Sequence, residues 1–307
     1  MNKIVLVIVS FLLFLNSNLY AQQTPHYTQY MYNMAVINPA YAGSRADLSI
    51  GLLGRKQWVN VDGAPETQTF SLNGRAFNGI GLGISAIHDK IGLAEETNLN
   101  ADISYTVVTS PITRLALGIK GGFSSFSNNL SQGITPDNDV NPDLTGVYPN
   151  AGFGAFYYTS NFFAGVSVPQ LFKTPKFRLD NNQYSAGLNE HMNYFVTTGY
   201  VFDLNEKVKF RPSTLIKIAS GLPFSVDINA NILYNNLVDF GVSYRYNDSI
   251  SGMIALMLTE NLRLGYAYDH TLTDLGDFNS GTHELMLLFD FDMKKRARWL
   301  NDSSCYF

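Results

Sequence analysis

The chain has little charge, a single cysteine and no long apolar run beyond its first residues. Asp, Glu, Lys and Arg make up 15% of its 307 residues, against about 25% in an ordinary soluble protein. The single cysteine, Cys305, excludes an internal disulfide framework and leaves none for lipid attachment near the N terminus. After residue 21 no apolar run approaches the ~18 residues of a membrane-spanning helix. If the chain crosses a membrane, it must therefore do so as a closed β-barrel.

The apolar run at the start has the features of a secretory signal peptide. Lys3 precedes apolar residues 4–15, and a short polar stretch ends at Ala21. A membrane anchor is the alternative, but the run is shorter than the ~20 residues that a spanning helix needs. We therefore expect residues 1–21 to be removed, and we exclude them from the fold.

What the rest of the chain shows is a repeated alternation of apolar and polar residues. In residues 224–234, apolar side chains alternate with Ser225, Asp227, Asn229 and Asn231. In an extended strand the two sets lie on opposite faces. About 9–11 residues are what a tilted strand needs to cross a bilayer, whereas strands of soluble domains have about five or six. Abundant aromatic residues, 18 Tyr and 21 Phe, suit a wall that faces lipid.

Fourteen such segments predict an all-β fold, a transmembrane antiparallel β-barrel of about 14 strands. They lie near residues 47–54, 68–77, 79–88, 98–108, 113–124, 150–158, 162–168, 192–203, 207–218, 224–234, 237–246, 250–258, 261–269 and 283–292. Segments 162–168 and 250–258 have the weakest alternation. Short and long links alternate between the segments, as in outer-membrane barrels with short periplasmic turns and longer extracellular loops. The predicted long links are 55–67, 89–97, 125–149, 169–191 and 270–282.

Four regions follow from this pattern. They are a signal peptide (1–21), an N-terminal periplasmic or plug-like segment (22–46), the outer-membrane barrel (47–292) and a basic periplasmic tail (293–307). The predicted inward face carries both charge signs, so it selects neither. Its charged residues include Lys120, Lys209, Arg211, Lys217, Arg263, Asp227, Asp239, Asp269, Glu284, Asp290 and Asp292. Fourteen strands enclose more space than their own side chains fill, so water, a loop, the N-terminal segment or a partner chain must occupy the lumen.

The sequence contains no pattern typical of an enzyme or a metal site. Its five histidines are scattered, with none at the HExxH or CxxC spacing of zinc sites. The glycines of Gly79–Gly83 alternate within a strand pattern, which indicates close backbone approach or curvature rather than a dinucleotide loop. Residues 137–143 start like a calcium loop, but Pro142 and Tyr148 stand where Gly and Glu are needed, which favours a solvated acidic loop. The net charge of −4 argues against nucleic acid. We expect no cofactor and no small-molecule substrate.

Three blocks of sequence resemble the PorP/SprF family of outer-membrane proteins, which is linked to the type IX secretion system of Bacteroidetes. They are Tyr30–Asn33 with Ile37–Ser44, Arg55–Trp58 with Gly63–Thr67, and Leu262–Asp269 with Gly281–Leu285. The resemblance spans essentially the whole mature chain. The tail departs from it, because it ends in Cys305-Tyr306-Phe307 where members often finish in an Arg-Tyr-Phe-like sequence.

The resemblance implies a non-enzymatic barrel that helps particular secreted proteins cross the outer membrane or stay attached there. These are often large adhesins with a family-specific C-terminal domain, and gliding motility is involved in some members. The implied partners are secreted cargo proteins, through their C-terminal domains, type IX secretion components and outer-membrane lipid. A diffusion channel is the alternative if the lumen is open. A third alternative is an outer-membrane enzyme, but the sequence shows no group of residues typical of an active site.

Seven residues are candidates for partner binding. They are Asn38, Pro39, Tyr41, Gly43, Arg55, Gln57 and Trp58. The first four lie in a block with turn-forming residues at Asn38-Pro39 and around Gly43. We expect this block to fold into or against the periplasmic mouth, with Tyr41 and Met31 as apolar anchors. An ordinary entry turn to the first strand is the alternative. We expect the last three at the outer rim, since exposed Trp and Arg are favoured interface anchors. A Trp that anchors in the membrane interface is the alternative there.

Overall fold

The structure is a computed structural model that describes residues 25–132, 143–172, 175–180, 183–188, 192–219 and 223–291, with backbone alone for 175–180 and 183–188. The predicted signal peptide, the basic tail, Cys305 and all of the calcium-like run except Asp143 lie outside these residues. In the part of the chain that is described, no helix is long and apolar enough to cross a membrane.

The described residues form seventeen strands, of which β8 and β9 lie in the predicted link 169–191. They are β1 (Leu48–Lys56), β2 (Glu66–Arg75), β3 (Ile80–Ile91), β4 (Ala94–Ser110), β5 (Thr113–Asn128), β6 (Leu144–Tyr158), β7 (Phe162–Val168), β8 (Pro175–Asp180), β9 (Gln183–Leu188), β10 (Asn193–Tyr200), β11 (Phe202–Asp203), β12 (Val208–Ala219), β13 (Ser225–Tyr234), β14 (Val238–Arg245), β15 (Ser249–Met257), β16 (Leu262–Thr271) and β17 (Thr282–Phe291). The helical elements are short: α1 (Met34–Ile37) and 3-10 turns at Tyr30–Tyr32, Pro39–Tyr41, Leu130–Gln132 and Asp274–Phe278.

Fifteen of these strands form one antiparallel sheet that closes on itself. The first and last strands, β1 and β17, pair from Leu48 opposite Phe291 to Lys56 opposite His283. Because β10 and β11 both pair with β12 and only Val201 separates them, they form one wall strand, and the barrel has fourteen. The predicted 14-stranded antiparallel barrel is confirmed, including the two weakly patterned segments, which form β7 and β15. Strands β8 and β9 form a separate hairpin.

Burial along the strands is the reverse of that in a soluble β protein. In β13, Asp227 and Asn229 are buried on the inner face, whereas Ile228 and Ile232 are 56% and 45% exposed on the outer face. The same alternation continues around the wall, with large apolar side chains outside. An apolar exterior is what a lipid-embedded barrel requires.

The two ends of the barrel differ in the length of their links. At one end the links have two to four residues, namely 76–79, 111–112, 159–161, 204–207, 235–237 and 258–261. At the other end they include 57–65, 129–143, 169–192 and 272–281. We call these the short-turn end and the long-loop end. Their sorting follows the pattern of outer-membrane barrels.

One predicted long link is wrong. Residues 89–97 do not form a loop, because β3 continues to Ile91 and β4 begins at Ala94. Charged residues pair across the two strands there, with Lys90 Nζ 2.8 Å from Glu95 Oε1. Strands β4, β5 and β6 accordingly have 17, 16 and 15 residues, longer than predicted.

Candidate functional site

The N-terminal residues lie inside the barrel. Every residue from Tyr27 to Ser44 is buried. Apolar side chains such as Met31 and Ile37 pack against inward-facing wall residues such as Phe156 and Leu215. We call residues 25–46 the lumen segment. Of the possible occupants of the lumen, the structure therefore shows the N-terminal segment.

The lumen segment reaches from one end of the barrel to the other. Near the long-loop end, the Tyr27 hydroxyl is 3.1 Å from the Thr69 hydroxyl of β2. At the short-turn end, Arg45 pairs with Asp290, one residue before the end of β17, at 2.9 Å. The segment thus crosses the whole height of the wall before it leads into β1.

A buried ionic cluster fixes the segment where β1 meets β17. Arg55 of β1 lies 2.7 Å from Asp269 and 3.0 Å from Glu284, and Arg55 and Glu284 are direct cross-strand partners. Thr28 donates its hydroxyl to Asp269 and its backbone N–H to Glu284, which also accepts the Gln29 N–H at 2.8 Å. We call Thr28, Arg55, Asp269 and Glu284 the seam cluster. It joins the lumen segment to the first strand and to the last two.

A second cluster holds the segment at the short-turn end. The Tyr32 hydroxyl donates to Asp239, which pairs with Arg211, and all three side chains are buried. The guanidinium of Arg263 lies over the Tyr32 ring, 5.0 Å from its centroid. This geometry allows a cation–π attraction in addition to the hydrogen bond.

Hydrogen bonds of neutral side chains and one ion pair hold the rest of the lumen segment. The Tyr30 hydroxyl donates to Ser213 at 3.0 Å and accepts from the Asn229 side chain at 3.1 Å. His26 Nε2 lies 3.2 Å from Lys217 Nζ. Arg45 adds the ion pair with Asp290.

The first four candidate residues lie within the lumen. The Asn38 side chain accepts the Ala40 N–H and donates to the Ala155 carbonyl of β6, both at 3.0 Å. Pro39 begins the next 3-10 turn, and the Tyr41 ring packs edge-on against Phe156 with centroids 5.3 Å apart. These contacts are internal, so the residues position the segment and are not available to an outside partner.

Glycine on the wall makes room for the segment. A Cβ atom on Gly81 of β3 would collide with the Ala42 carbonyl, and one on Gly118 of β5 would collide with the Ala40 backbone. Gly43 itself has φ +73°, a conformation that L side chains rarely adopt, and it faces the β2–β3 wall. The close backbone approach predicted for the 79–83 run is confirmed at Gly81.

Arg55, Gln57 and Trp58 do not share one surface. The Arg55 side chain is 3% exposed and belongs to the seam cluster, whereas Gln57 and Trp58 lie half-buried at the long-loop end. The Trp58 N–H donates to the Thr282 hydroxyl at 3.2 Å. The sequence marked Asp269 and Glu284 as inward-facing but missed their link to Thr28 and Arg55, since nothing local signals a pair 256 residues apart.

Replacing Asn38 with alanine should lower the free energy of unfolding by about 1–2 kcal/mol, because it removes the turn cap and the hydrogen bond from the segment to the Ala155 carbonyl. Urea titration of the purified barrel measures the loss. Asn261→Ala is the matched control, because Asn261 is exposed in a short turn between β15 and β16. Equal effects of the two substitutions would contradict a positioning role for Asn38.

The described residues contain no group of three or more His, Cys, Asp or Glu side chains arranged to hold a metal ion. The buried carboxylates instead face guanidinium groups and hydrogen-bond donors. These carboxylates attach the lumen segment to the wall by accepting its hydrogen bonds.

Comparison with known families gives a match over most of the chain. Residues 19–289 match the family described as type IX secretion system membrane protein PorP/SprF. The chain belongs to the PorP/SprF family. With its closed barrel and apolar outer wall, this PorP/SprF protein is an outer-membrane protein associated with type IX secretion.

Solved outer-membrane barrels are similar to this PorP/SprF chain at low identity. Omp33 of Acinetobacter baumannii is 10% identical, with 81% of this chain and 100% of that chain covered and a TM-score of 0.48. The toluene transporter TbuX of Ralstonia pickettii is also 10% identical, with coverages of 83% and 92% and a TM-score of 0.48. The monoaromatic hydrocarbon channel CymD is 11% identical, with 84% of this chain and 93% of that chain covered and a TM-score of 0.49. No functionally curated protein matches the sequence.

Two of the three sequence blocks that resemble the PorP/SprF family meet at the seam cluster, and the first begins beside it. Arg55 begins the second block, Asp269 and Glu284 belong to the third, and Thr28 lies two residues before the first. Residues far apart in the chain therefore form one connected unit that couples the lumen segment to barrel closure.

Proposed function

We propose that this PorP/SprF barrel helps secrete or anchor specific cell-surface proteins through protein–protein contact. These cargo proteins are of the adhesin type, and gliding motility is among the processes that they serve. The partners are exported proteins, recognised through their C-terminal domains, and components of the type IX machinery. Family membership supports the association with secretion.

The filled lumen is the observation that carries this proposal. The lumen segment bonds to wall strands on every side, including β2 through Thr69, β6 through Ala155, β12 through Ser213 and β17 through Glu284. A diffusion channel needs an open path, and the described residues place a buried, hydrogen-bonded segment across it. Contact with other proteins must then occur at the ends of the barrel or on its outer wall.

The link lengths support an orientation. Short turns face the periplasm in outer-membrane barrels, so the long-loop end faces the cell exterior. The seam cluster then lies just beneath the outer surface. Exported proteins that remain on the cell would meet the long-loop end, and the secretion machinery would meet the short-turn end.

Deletion of this protein should remove one or a few exported proteins from the cell surface while general export continues. Quantitative mass spectrometry of shaved cells and of culture medium, with and without a complementing copy, measures this. Loss of all type IX cargo would indicate a core machinery role instead. An unchanged surface inventory would overturn the proposal.

A further inference from the structure

Three loops at the long-loop end are joined into one structure. The Val59 N–H donates to the Gly281 carbonyl and the Ser280 N–H to the Val59 carbonyl, both at 2.9 Å. The Leu272 N–H donates to the Asp248 carbonyl at 2.8 Å. We call loops 57–65, 246–248 and 272–281 the outer lobe. It lies directly above the seam cluster.

The most exposed apolar side chain of the outer lobe is Phe278. Phe278 is 75% exposed, the largest fraction of any large apolar side chain in the described residues. Leu272 of the same loop is 51% exposed, so loop 272–281 presents two apolar side chains that a partner can cover. Large aromatic side chains are also frequent energetic centres of protein interfaces.

The loop that carries Phe278 is internally bonded. The neighbouring Asn279 side chain donates to the Leu275 carbonyl at 2.5 Å and accepts the Gly281 N–H at 2.7 Å. Tyr268 of the wall donates its hydroxyl to the Ser280 carbonyl at 3.2 Å. Because the loop is already ordered, a partner would lose little conformational entropy by binding it.

The charged side chains of the outer lobe are all negative. Its three loops contain Asp62, Asp248, Asp274 and Asp277 and no Lys or Arg. Asp248 pairs with Arg245 at 3.2 Å, while the other three are exposed. Exposed carboxylates on the same loops as an exposed ring repel anionic lipid headgroups and attract a basic protein surface. The charge therefore favours a protein over the membrane as the occupant.

Backbone strain marks the same place. Trp58 has φ +42°, which is costly for a bulky side chain and persists only where its surroundings impose it. Here the Thr282 hydroxyl and the Val59–Gly281 pairing impose it. The strain therefore shows that loop 57–65 is held in one conformation by its bonds to β17 and to loop 272–281.

We propose that the outer lobe is a docking surface for a basic segment of an exported protein. Phe278 enters an apolar pocket of that partner, and Asp62, Asp274 and Asp277 face its Lys and Arg side chains. This inference rests on the proposed function in one respect, namely that the partner is an exported protein. The geometry of the surface is independent of that role.

Photocrosslinking in whole cells tests the surface directly. With p-benzoylphenylalanine in place of Phe278, we expect a protein adduct whose crosslinked peptide is rich in Lys and Arg. Combining the probe with Asp274→Asn and Asp277→Asn should reduce the adduct about tenfold, as should about 0.5 M salt. The probe in place of Phe172, which is 55% exposed in another loop of the same end, is the matched control. An adduct with lipid alone, one unaffected by the two Asn substitutions, or one equally strong at position 172 would overturn the proposal.

Single substitutions connect the surface to function. Phe278→Ala should reduce about tenfold the surface amount of the exported protein that deletion removes, while Phe172→Ala leaves it unchanged. Heat-modifiable migration on gels verifies that each variant barrel is folded in the outer membrane. Normal display in Phe278→Ala cells would contradict the docking role. If deletion removes no surface protein, the proposed function fails, yet a charge-dependent protein adduct at position 278 would still support the surface.

Discussion

Replacing Arg55 with alanine is expected to lower the free energy of unfolding by about 3–5 kcal/mol, the largest effect of any single substitution considered. Asp269 and Glu284 are buried around Arg55, with side chains 3% and 0% exposed. Removing the guanidinium leaves two carboxylates close together without their ion-pair partner, and the hydroxyl of Thr28 and two backbone N–H groups remain as hydrogen-bond donors. The lumen segment would lose its attachment at the long-loop end together with the seam.

Urea titration of the purified barrel in detergent, followed by heat-modifiable migration, measures this loss. Lys56→Ala is the control, because Lys56 is the next residue of β1 and its pair with Glu66 is exposed. Exposed pairs contribute about 0–1 kcal/mol, so the control should change little. Glu284→Gln in the Arg55→Ala background should recover part of the loss by removing one of the unpaired charges. Equal effects at Arg55 and Lys56 would contradict the seam cluster.

The barrel could be predicted from the sequence because the lipid imposes a simple rule on every strand. Alternation with period two is local, and residues 224–234 show it without reference to the rest of the chain. The predicted link 89–97 was wrong, because β3 and β4 extend to Ile91 and from Ala94. Above the lipid a strand can carry charges, and Lys90 and Glu95 pair across β3 and β4 there.

The site was less predictable because its contacts are between distant residues. In β1 the inward Leu53 and the outward Leu52 are both apolar, so the alternation does not show that Arg55 faces the lumen. The partners of Arg55 lie 214 and 229 residues away. The turn chemistry at Asn38 was visible in the sequence, but its bond to the Ala155 carbonyl required the closed barrel.

Replacing Gly118 with leucine is expected to open the barrel to ions. Gly118 faces the lumen, and any side chain there would occupy the space of the Pro39 and Ala40 backbone. The wall strand is held by hydrogen bonds on both sides, through β4 and β6, so the lumen segment must give way. A displaced segment leaves a fourteen-stranded barrel with a polar inner wall, which is wide enough to hold water.

Single-channel recording in planar bilayers measures the opening. Wild-type protein should show little steady conductance, whereas Gly118→Leu and a deletion of residues 25–44 should each increase it at least about tenfold. Gly121→Leu is the matched control on the same strand, because a Cβ there points outward and meets no other atom within 4 Å. Large, constant conductance of the wild type would favour the diffusion channel. Silence of both the leucine variant and the deletion would mean that something other than residues 25–44 closes the lumen. Conductance restricted to those two variants would show that this chain closes its own pore with residues 25–44.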